Sequence, residues 1–168
     1  TGTYVARVLD KTYYGYFNSV DTILSFFLPF ATFGVYTYGL RAISNVRDNK
    51  NKTNKVFSQL FYLCMFCTIV TTTIYFATYN LFFENNPTLK KIYLVMGVQL
   101  VAQIFSIEWV NEALENYSFL FYKTAVIRIL MLISIFAFVR DEHDIIIYTL
   151  IMALSTALNY VISYFWIK

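Results

Sequence analysis

The sequence predicts an all-α, polytopic membrane protein whose residues 1–168 form a single transmembrane domain with about five spanning helices. Hydrophobic residues make up 58% of the chain and charged residues only 14%, whereas soluble domains carry about 45–50% apolar and about 25% charged residues. Aromatic residues reach 20%, more than a soluble core of this length could bury. Long apolar runs with few charges recur along the chain, and about 20 such residues cross a bilayer.

The apolar runs define where the spanning helices are expected. The chain begins at Thr1 without a methionine, so we expect part of a longer protein that starts in the tail of an earlier span at residues 1–10. Polar and charged stretches separate the later runs. The expected spans cover residues 17–40, 56–83, 88–110, 119–139 and 145–167.

The first span carries a polar stripe at helical spacing. The residues of this stripe are Asn18, Asp21, Thr22, Ser25, Pro29, Thr32 and Tyr36. Lipid disfavours such a stripe, so it should face other helices or a water-filled cavity. Asp21 is either an interfacial carboxylate in water or a group that couples transport to protons or cations. Pro29 and Gly34 are expected to bend the helix.

The other spans also place polar residues on one face. Cys64, Cys67 and nearby hydroxyl residues should pack between helices, because a redox or metal role for the C-x-x-C pair would leave a thiolate in lipid. Gln99 and Gln103 form the inner face of the third span. Asn159 and its neighbours at four-residue spacing offer interhelical hydrogen bonds in the last span.

Two cations lie in the fourth span. Lys123 is close enough to the span's end for its side chain to snorkel to the membrane surface. Arg128 lies about 7–8 Å deeper along a helix, where an arginine costs about 2.5–3.5 kcal/mol even on the lenient insertion scale. It should therefore pair with Glu108, snorkel to the headgroups, or face a cavity as a free cation.

The stretch Glu108–Lys123 is a polar corner between two apolar runs. Glu108, Glu112 and Glu115 have the spacing of one helical face, and Trp109 is expected among lipid headgroups beside them. The loop expected at Arg41–Lys55 carries five of the 13 basic residues. Basic loops favour the cytoplasm, so this loop and the corner should both be cytoplasmic. No basic face indicates nucleic-acid binding, and His143 among exposed carboxylates is typical of a solvated turn rather than a metal site.

Three stretches resemble a known transporter family. They are residues 4–9 (YVARVL), residues 37–43 (TYGLRAI) and Glu108-Trp109, with Glu115 following. In this order they resemble the Wzx-like polysaccharide flippases of the MATE-like MOP superfamily, and the resemblance covers nearly the whole chain. It implies that the chain supplies most of one six-helix lobe.

The resemblance implies a transporter without enzymatic activity. It would move undecaprenyl-pyrophosphate-linked oligosaccharide repeat units across the bacterial cytoplasmic membrane, for surface polysaccharides such as capsule. Expected partners are this lipid-linked oligosaccharide, membrane lipids and the polysaccharide polymerase machinery. No cofactor is expected beyond coupling to a proton or cation gradient.

Candidate residues follow from these patterns. The substrate path would involve Asn18, Asp21, Ser25, Gln99, Gln103, Arg128 and Asn159. The cytoplasmic corner would involve Arg41, Glu108, Trp109, Glu112 and Glu115.

Two other function classes remain open at this point. A MATE-type cation or drug exporter would suit a carboxylate within a span, such as Asp21. A membrane-embedded polysaccharide-assembly enzyme or subunit is the other alternative. Its candidate cluster is His143 with Asp141 and Asp144, which fits no recognisable motif.

Overall fold

A computed structural model describes residues 5, 8–79, 86–141 and 143–166, and these residues form helices and no strand. The helices are α1 Lys11–Thr32, α2 Val35–Ser44, α3 Lys50–Ala77, α4 Pro87–Ala102, α5 Glu108–Ala113, α6 Tyr117–Phe138 and α7 Ile145–Phe165, with a 3₁₀ turn at Gln103–Phe105. Within the described residues, five helical segments are long and apolar enough to cross a membrane. The predicted all-α class is confirmed.

The first predicted span is two helices rather than one. Helix α1 begins at Lys11, six residues before the predicted start, and tyrosines of this extra turn and a half pack on the core. The bend falls at Phe33 and Gly34, both with positive φ (46° and 70°), and not at Pro29, which stays inside α1. Glycine adopts this backbone conformation without steric cost.

The predicted loop at Arg41–Lys55 is mostly helical. Helix α2 runs on to Ser44 and α3 already begins at Lys50, which leaves only residues 45–49 between them. The Asn49 side chain caps α3 by accepting a hydrogen bond from the Lys52 amide at 3.2 Å, which explains the early start. Helix α3 ends at Ala77, six residues before the predicted end of its span, and residues 80–83 of that span lie outside the described residues.

The third predicted span is interrupted near its end. It starts as expected, because Asn86 accepts hydrogen bonds from the Thr88 and Leu89 amides (3.1 and 3.2 Å) and Pro87 follows it. The predicted continuous helix over 88–110 is nevertheless wrong, since a 3₁₀ turn and the non-helical residues 106–107 separate α4 from α5. Neither proline nor glycine occurs at this break.

The last two helices lie close to their predicted positions, within two residues over the described part of the chain. Helix α7 packs against α4 and α6, α1 packs against α3 and α4, and α2 packs against α5. Two cores result. The aromatic core contains Phe17, Tyr75, Tyr93 and Tyr148, and the corner core contains Ile43, Trp109 and their neighbours.

Candidate functional site

A polar cavity of about 270 Å³ lies between α6 and α7, beside the start of α5. Its wall mixes hydroxyl, amide and charged groups with apolar side chains. The lining residues are Glu108, Thr124, Ile127, Arg128, Met131, Met152, Ser155, Thr156, Asn159 and Tyr160. Among them Glu108 is the acid and Arg128 the base. We call this space the polar cavity.

A buried ion pair closes the corner end of the polar cavity. The Lys123 ammonium donates to Glu108 Oε1 at 2.5 Å, to the Asn159 carbonyl oxygen at 3.2 Å and to Ser163 Oγ. Its side chain is only 2% exposed, whereas that of Glu108 is 25% exposed. Asn159 Nδ2 also donates to Glu108 Oε1 at 2.9 Å. A buried ammonium is tolerated only when its donors are satisfied in this way.

The roles expected of the two cations are partly reversed. Lys123 does not snorkel to a surface, since it is buried and paired with Glu108. The alternative in which Glu108 pairs with Arg128 is therefore wrong. The break before α5 turns Glu108 back toward α6, where it meets Lys123. Arg128 is exposed, lines the polar cavity, and has neither an ion pair nor a side-chain hydrogen bond to another described residue.

Three amide oxygens around the ion pair are buried without a hydrogen-bond partner among the described residues: Gln103 Oε1, Asn111 Oδ1 and Asn159 Oδ1. Gln103 also contacts the Tyr160 side chain. Such unsatisfied acceptors are uncommon in folded proteins and call for an explanation, such as water or a ligand. The sequence analysis predicted Gln103 and Asn159 but missed Asn111.

The structure brings together only some of the predicted path residues. Arg128 and Asn159 line the polar cavity. Gln103 does not line it, but its side chain contacts Tyr160, which does. Gln99, half-buried on α4, does not line the cavity. The polar stripe of α1, with Asn18, Asp21 and Ser25, is exposed on the outside of the described helices.

The three corner carboxylates point to three different partners. Glu112 accepts a hydrogen bond from the Tyr36 hydroxyl at 2.6 Å, and Glu115 forms an ion pair with Arg47. The predicted common helical face is wrong, because α5 ends at Ala113 and Glu115 has a positive φ of 60°. These contacts join the corner to α2 and to the loop that follows it.

Trp109 is buried at 2% exposure instead of lying among headgroups. Its ring lies against Gly39, where an added Cβ would be 2.6 Å from Trp109 Cε3. Glycine at this position therefore allows α2 and α5 to approach closely. Arg41, the remaining predicted corner residue, is exposed on the last turn of α2.

The cysteine face of α3 packs as predicted. Cys64 and Thr68 are buried and point at the Ala31 carbonyl oxygen of α1, with Thr68 Oγ1 donating at 3.3 Å. Cys64 and Cys67 are free thiols. This face therefore holds α1 and α3 together.

Two charged groups outside the spans have perturbed pKa values. The Glu115 carboxylate raises the pKa of the Arg47 guanidinium. The backbone amides of Asp141 and Arg140, which donate to Asp144 Oδ2 at 2.9 and 3.1 Å, lower the pKa of the Asp144 carboxyl. His143 contacts the Tyr13 ring edge-on, with 5.4 Å between the ring centroids.

Within the described residues, five apolar helical segments of spanning length define a multi-pass helical membrane protein, and two of its helices, α6 and α7, enclose the polar cavity. A model of the family described as polysaccharide biosynthesis protein matches residues 1–168, and the chain belongs to that family. Neither the comparison with curated proteins nor the comparison with solved structures finds a match.

Proposed function

We propose that the protein is a Wzx-like flippase of the MOP superfamily that works in the bacterial cytoplasmic membrane. It moves undecaprenyl-pyrophosphate-linked oligosaccharide repeat units from the inner to the outer leaflet, and it delivers them to the polymerase machinery of a surface polysaccharide such as capsule. Membership of the polysaccharide biosynthesis family and the multi-pass helical fold support this proposal.

The observation that carries the proposal is the position of Arg128. It is a guanidinium on an apolar helix, it faces the polar cavity, and no described acid pairs with it. A charge in a spanning helix is costly unless a partner or water compensates it. Guanidinium binds phosphate oxygens through two parallel N–H donors. The diphosphate of the lipid carrier is therefore a suitable partner.

The remaining lining suits the sugar part of the substrate. Ser155 and Thr156 offer hydroxyl groups, and Asn159 Oδ1 is a buried acceptor without a partner. A sugar hydroxyl can donate to such an acceptor and remove the cost of leaving it unsatisfied. Crossing the membrane needs only this hydrated, hydrogen-bonding path, so the proposal requires no covalent step.

The direct test is flipping of a fluorescent undecaprenyl-diphosphate oligosaccharide in proteoliposomes that contain the full-length protein. We expect Arg128→Gln to lose most of the flipping at unchanged protein level, and Arg128→Lys to keep part of it. Arg140→Gln is the matched control, because Arg140 lies in the exposed turn before α7 and uses its backbone amide in the contact with Asp144. Full flipping by well-folded Arg128→Gln would refute the diphosphate site.

The orientation is tested separately. We propose that the basic segment Arg41–Lys55 and the corner Glu108–Lys123 face the cytoplasm, with the segments around Asn86 and Arg140 on the outside. Single cysteines replace Asn51 near the start of α3 and Asn86 at the start of α4, in a background without Cys64 and Cys67. An impermeant maleimide applied to whole cells should label Asn86→Cys and spare Asn51→Cys, and the opposite pattern would reverse the orientation.

A MATE-type cation exporter is the second candidate, favoured by the exposed Asp21 within α1. Asp21→Asn keeps the shape of the side chain and removes its charge. Loss of proton- or cation-driven drug efflux in this variant, without any flipping by the wild type, would favour the exporter. Unchanged flipping across pH in Asp21→Asn would exclude a coupling role for this residue.

A further inference from the structure

Glu108 lies between the two cations of the site. One of its oxygens accepts from the buried Lys123 ammonium, while its side chain also forms part of the polar cavity wall that contains Arg128. The carboxylate is 25% exposed and the lysine side chain only 2%. An anion in the polar cavity would therefore meet Glu108 before it could meet Lys123.

We infer that Glu108 is a built-in counter-anion that an incoming diphosphate displaces, so that Lys123 becomes a second cation of the anion site beside Arg128. This inference rests on the proposed function and names how the same site is regulated. It makes Glu108 a positioning residue. While no anion is bound, its carboxylate balances the positive charge of Lys123, and it lowers the affinity of the site for an anion.

The contacts of Lys123 allow this exchange. Two of its three acceptors are neutral groups of α7, the Asn159 carbonyl oxygen and Ser163 Oγ. They hold the ammonium in place when the carboxylate leaves and free one donor for a phosphate oxygen. Each ammonium hydrogen would still have an acceptor, as a buried cation requires.

The Glu108 side chain can leave Lys123 without a shift of the backbone. The backbone is held in place, because Ile107 and Trp109 on either side are buried at 2% exposure and the link before α5 is hydrogen-bonded. The Glu108 side chain itself is 25% exposed and forms part of the polar cavity wall. Rotation of this side chain to another staggered rotamer would separate its carboxylate from the ammonium.

The net charge at the site supports the same exchange. With Glu108 in place, the pair is neutral and Arg128 is the single net positive charge of the cavity region. A diphosphate carries more than one negative charge, and a single guanidinium does not balance it. Release of Lys123 from Glu108 supplies a second positive charge without bringing any new group into the membrane.

The test measures binding of inorganic diphosphate to the full-length protein in detergent at low ionic strength. We expect Glu108→Gln to bind diphosphate on the order of tenfold more tightly than the wild type. The reason is that the negative charge of Glu108, which repels the anion, is gone. In the double variant Glu108→Gln/Lys123→Gln the gain should disappear. Glu112→Gln is the matched control one turn along α5, and its affinity should equal that of the wild type.

Unchanged or weaker binding by a monodisperse Glu108→Gln, or the same gain in the double variant, would overturn the inference. If Glu108→Gln does not fold, Glu108→Asp decides the question. This variant keeps the charge but shortens the reach to Lys123, and it should bind diphosphate more tightly than the wild type. Failure of the proposed function is a separate result, since it would appear as no flipping by the wild type whatever the affinities of these variants.

Discussion

Buried polar groups are hydrogen-bonded to each other in the aromatic core, whereas some of those at the polar cavity have no partner among the described residues. In the aromatic core, Tyr75 and Tyr93 stack with their ring centroids 4.0 Å apart. Each hydroxyl donates to the backbone carbonyl oxygen of the other residue, at 2.9 and 2.8 Å. In the wall of the polar cavity, Asn159 keeps a buried oxygen without a partner in the described part of the chain, and Gln103 and Asn111 do so outside the cavity lining.

The difference separates a region built for stability from one with free hydrogen-bonding capacity. A satisfied polar pair fixes one packing of α3 against α4, because breaking it would leave buried groups unpaired. Unsatisfied acceptors beside a cavity and an uncompensated guanidinium instead leave room for a ligand. We therefore expect variants that break a satisfied buried contact, in the aromatic core or in the Lys123–Glu108 pair, to change stability. Variants of unpaired groups that line the polar cavity, such as Arg128, should change binding and transport.

The largest effect on stability is expected from Lys123→Ala. Removing one partner of a buried pair typically costs about 3–5 kcal/mol, and we expect the lower end because Glu108 can reach water in the cavity. Thermal unfolding of the purified protein in detergent measures it. Adding Glu108→Gln should recover most of the loss. A melting temperature equal to that of the wild type in Lys123→Ala would show that the pair does not support the corner.

Gly39→Ala tests the close approach of α2 and α5. The new Cβ would lie 2.6 Å from the buried Trp109 ring, so the ring or the helix must shift, at a cost of about 1–3 kcal/mol. Gly15→Ala is the control, because nothing lies within 4 Å of its Cβ position and alanine favours the helix. Equal melting temperatures for the two variants would contradict the tight packing.

Tyr75→Phe tests the aromatic core. It removes the hydroxyl that donates to the Tyr93 carbonyl oxygen and should cost about 1 kcal/mol of stability, while flipping by the folded protein stays unchanged. Tyr62→Phe serves as the control, since Tyr62 is exposed on the same helix. Loss of flipping in a stable Tyr75→Phe would remove the distinction between the two regions.

The smallest effect is expected from the Asp144 carboxylate. Hydrogen bonds from the Arg140 and Asp141 amides lower its pKa, so the folded state holds the charged form more strongly than the unfolded chain does. Its contribution to stability is therefore complete above the unfolded pKa of about 3.9 and is lost as pH falls through the lower folded value. Asp144→Asn should flatten this acid-side loss in melting temperature measured against pH. The same dependence of melting temperature on pH in Asp144→Asn and the wild type would contradict a contribution of this carboxylate to stability.

Much of the candidate site could be anticipated from residue types. Arg128 and Asn159 stand out because polar groups within apolar runs are costly in lipid, and both line the polar cavity. Ser163 was predicted to offer an interhelical hydrogen bond, and its Oγ accepts one from Lys123. Asn111 carries no comparable signal, because it lies in a polar stretch where such residues are ordinary. The pairing of Glu108 was missed, since the sequence shows no proline or glycine at the break before α5 that turns this carboxylate toward Lys123.

The sequence by itself determined the all-α class, the five span-length helical segments and the start of α4 at Pro87 after the Asn86 cap. Hydropathy over about 20 residues and local capping are properties of neighbouring residues. The tertiary structure alone decided which cation pairs with Glu108 and that Trp109 packs on Gly39. These choices depend on contacts between residues 15 to 70 positions apart in the chain. Local patterns carry no information on contacts between residues so far apart in the chain. Which carboxylate pairs with which cation is decided only when the helices pack.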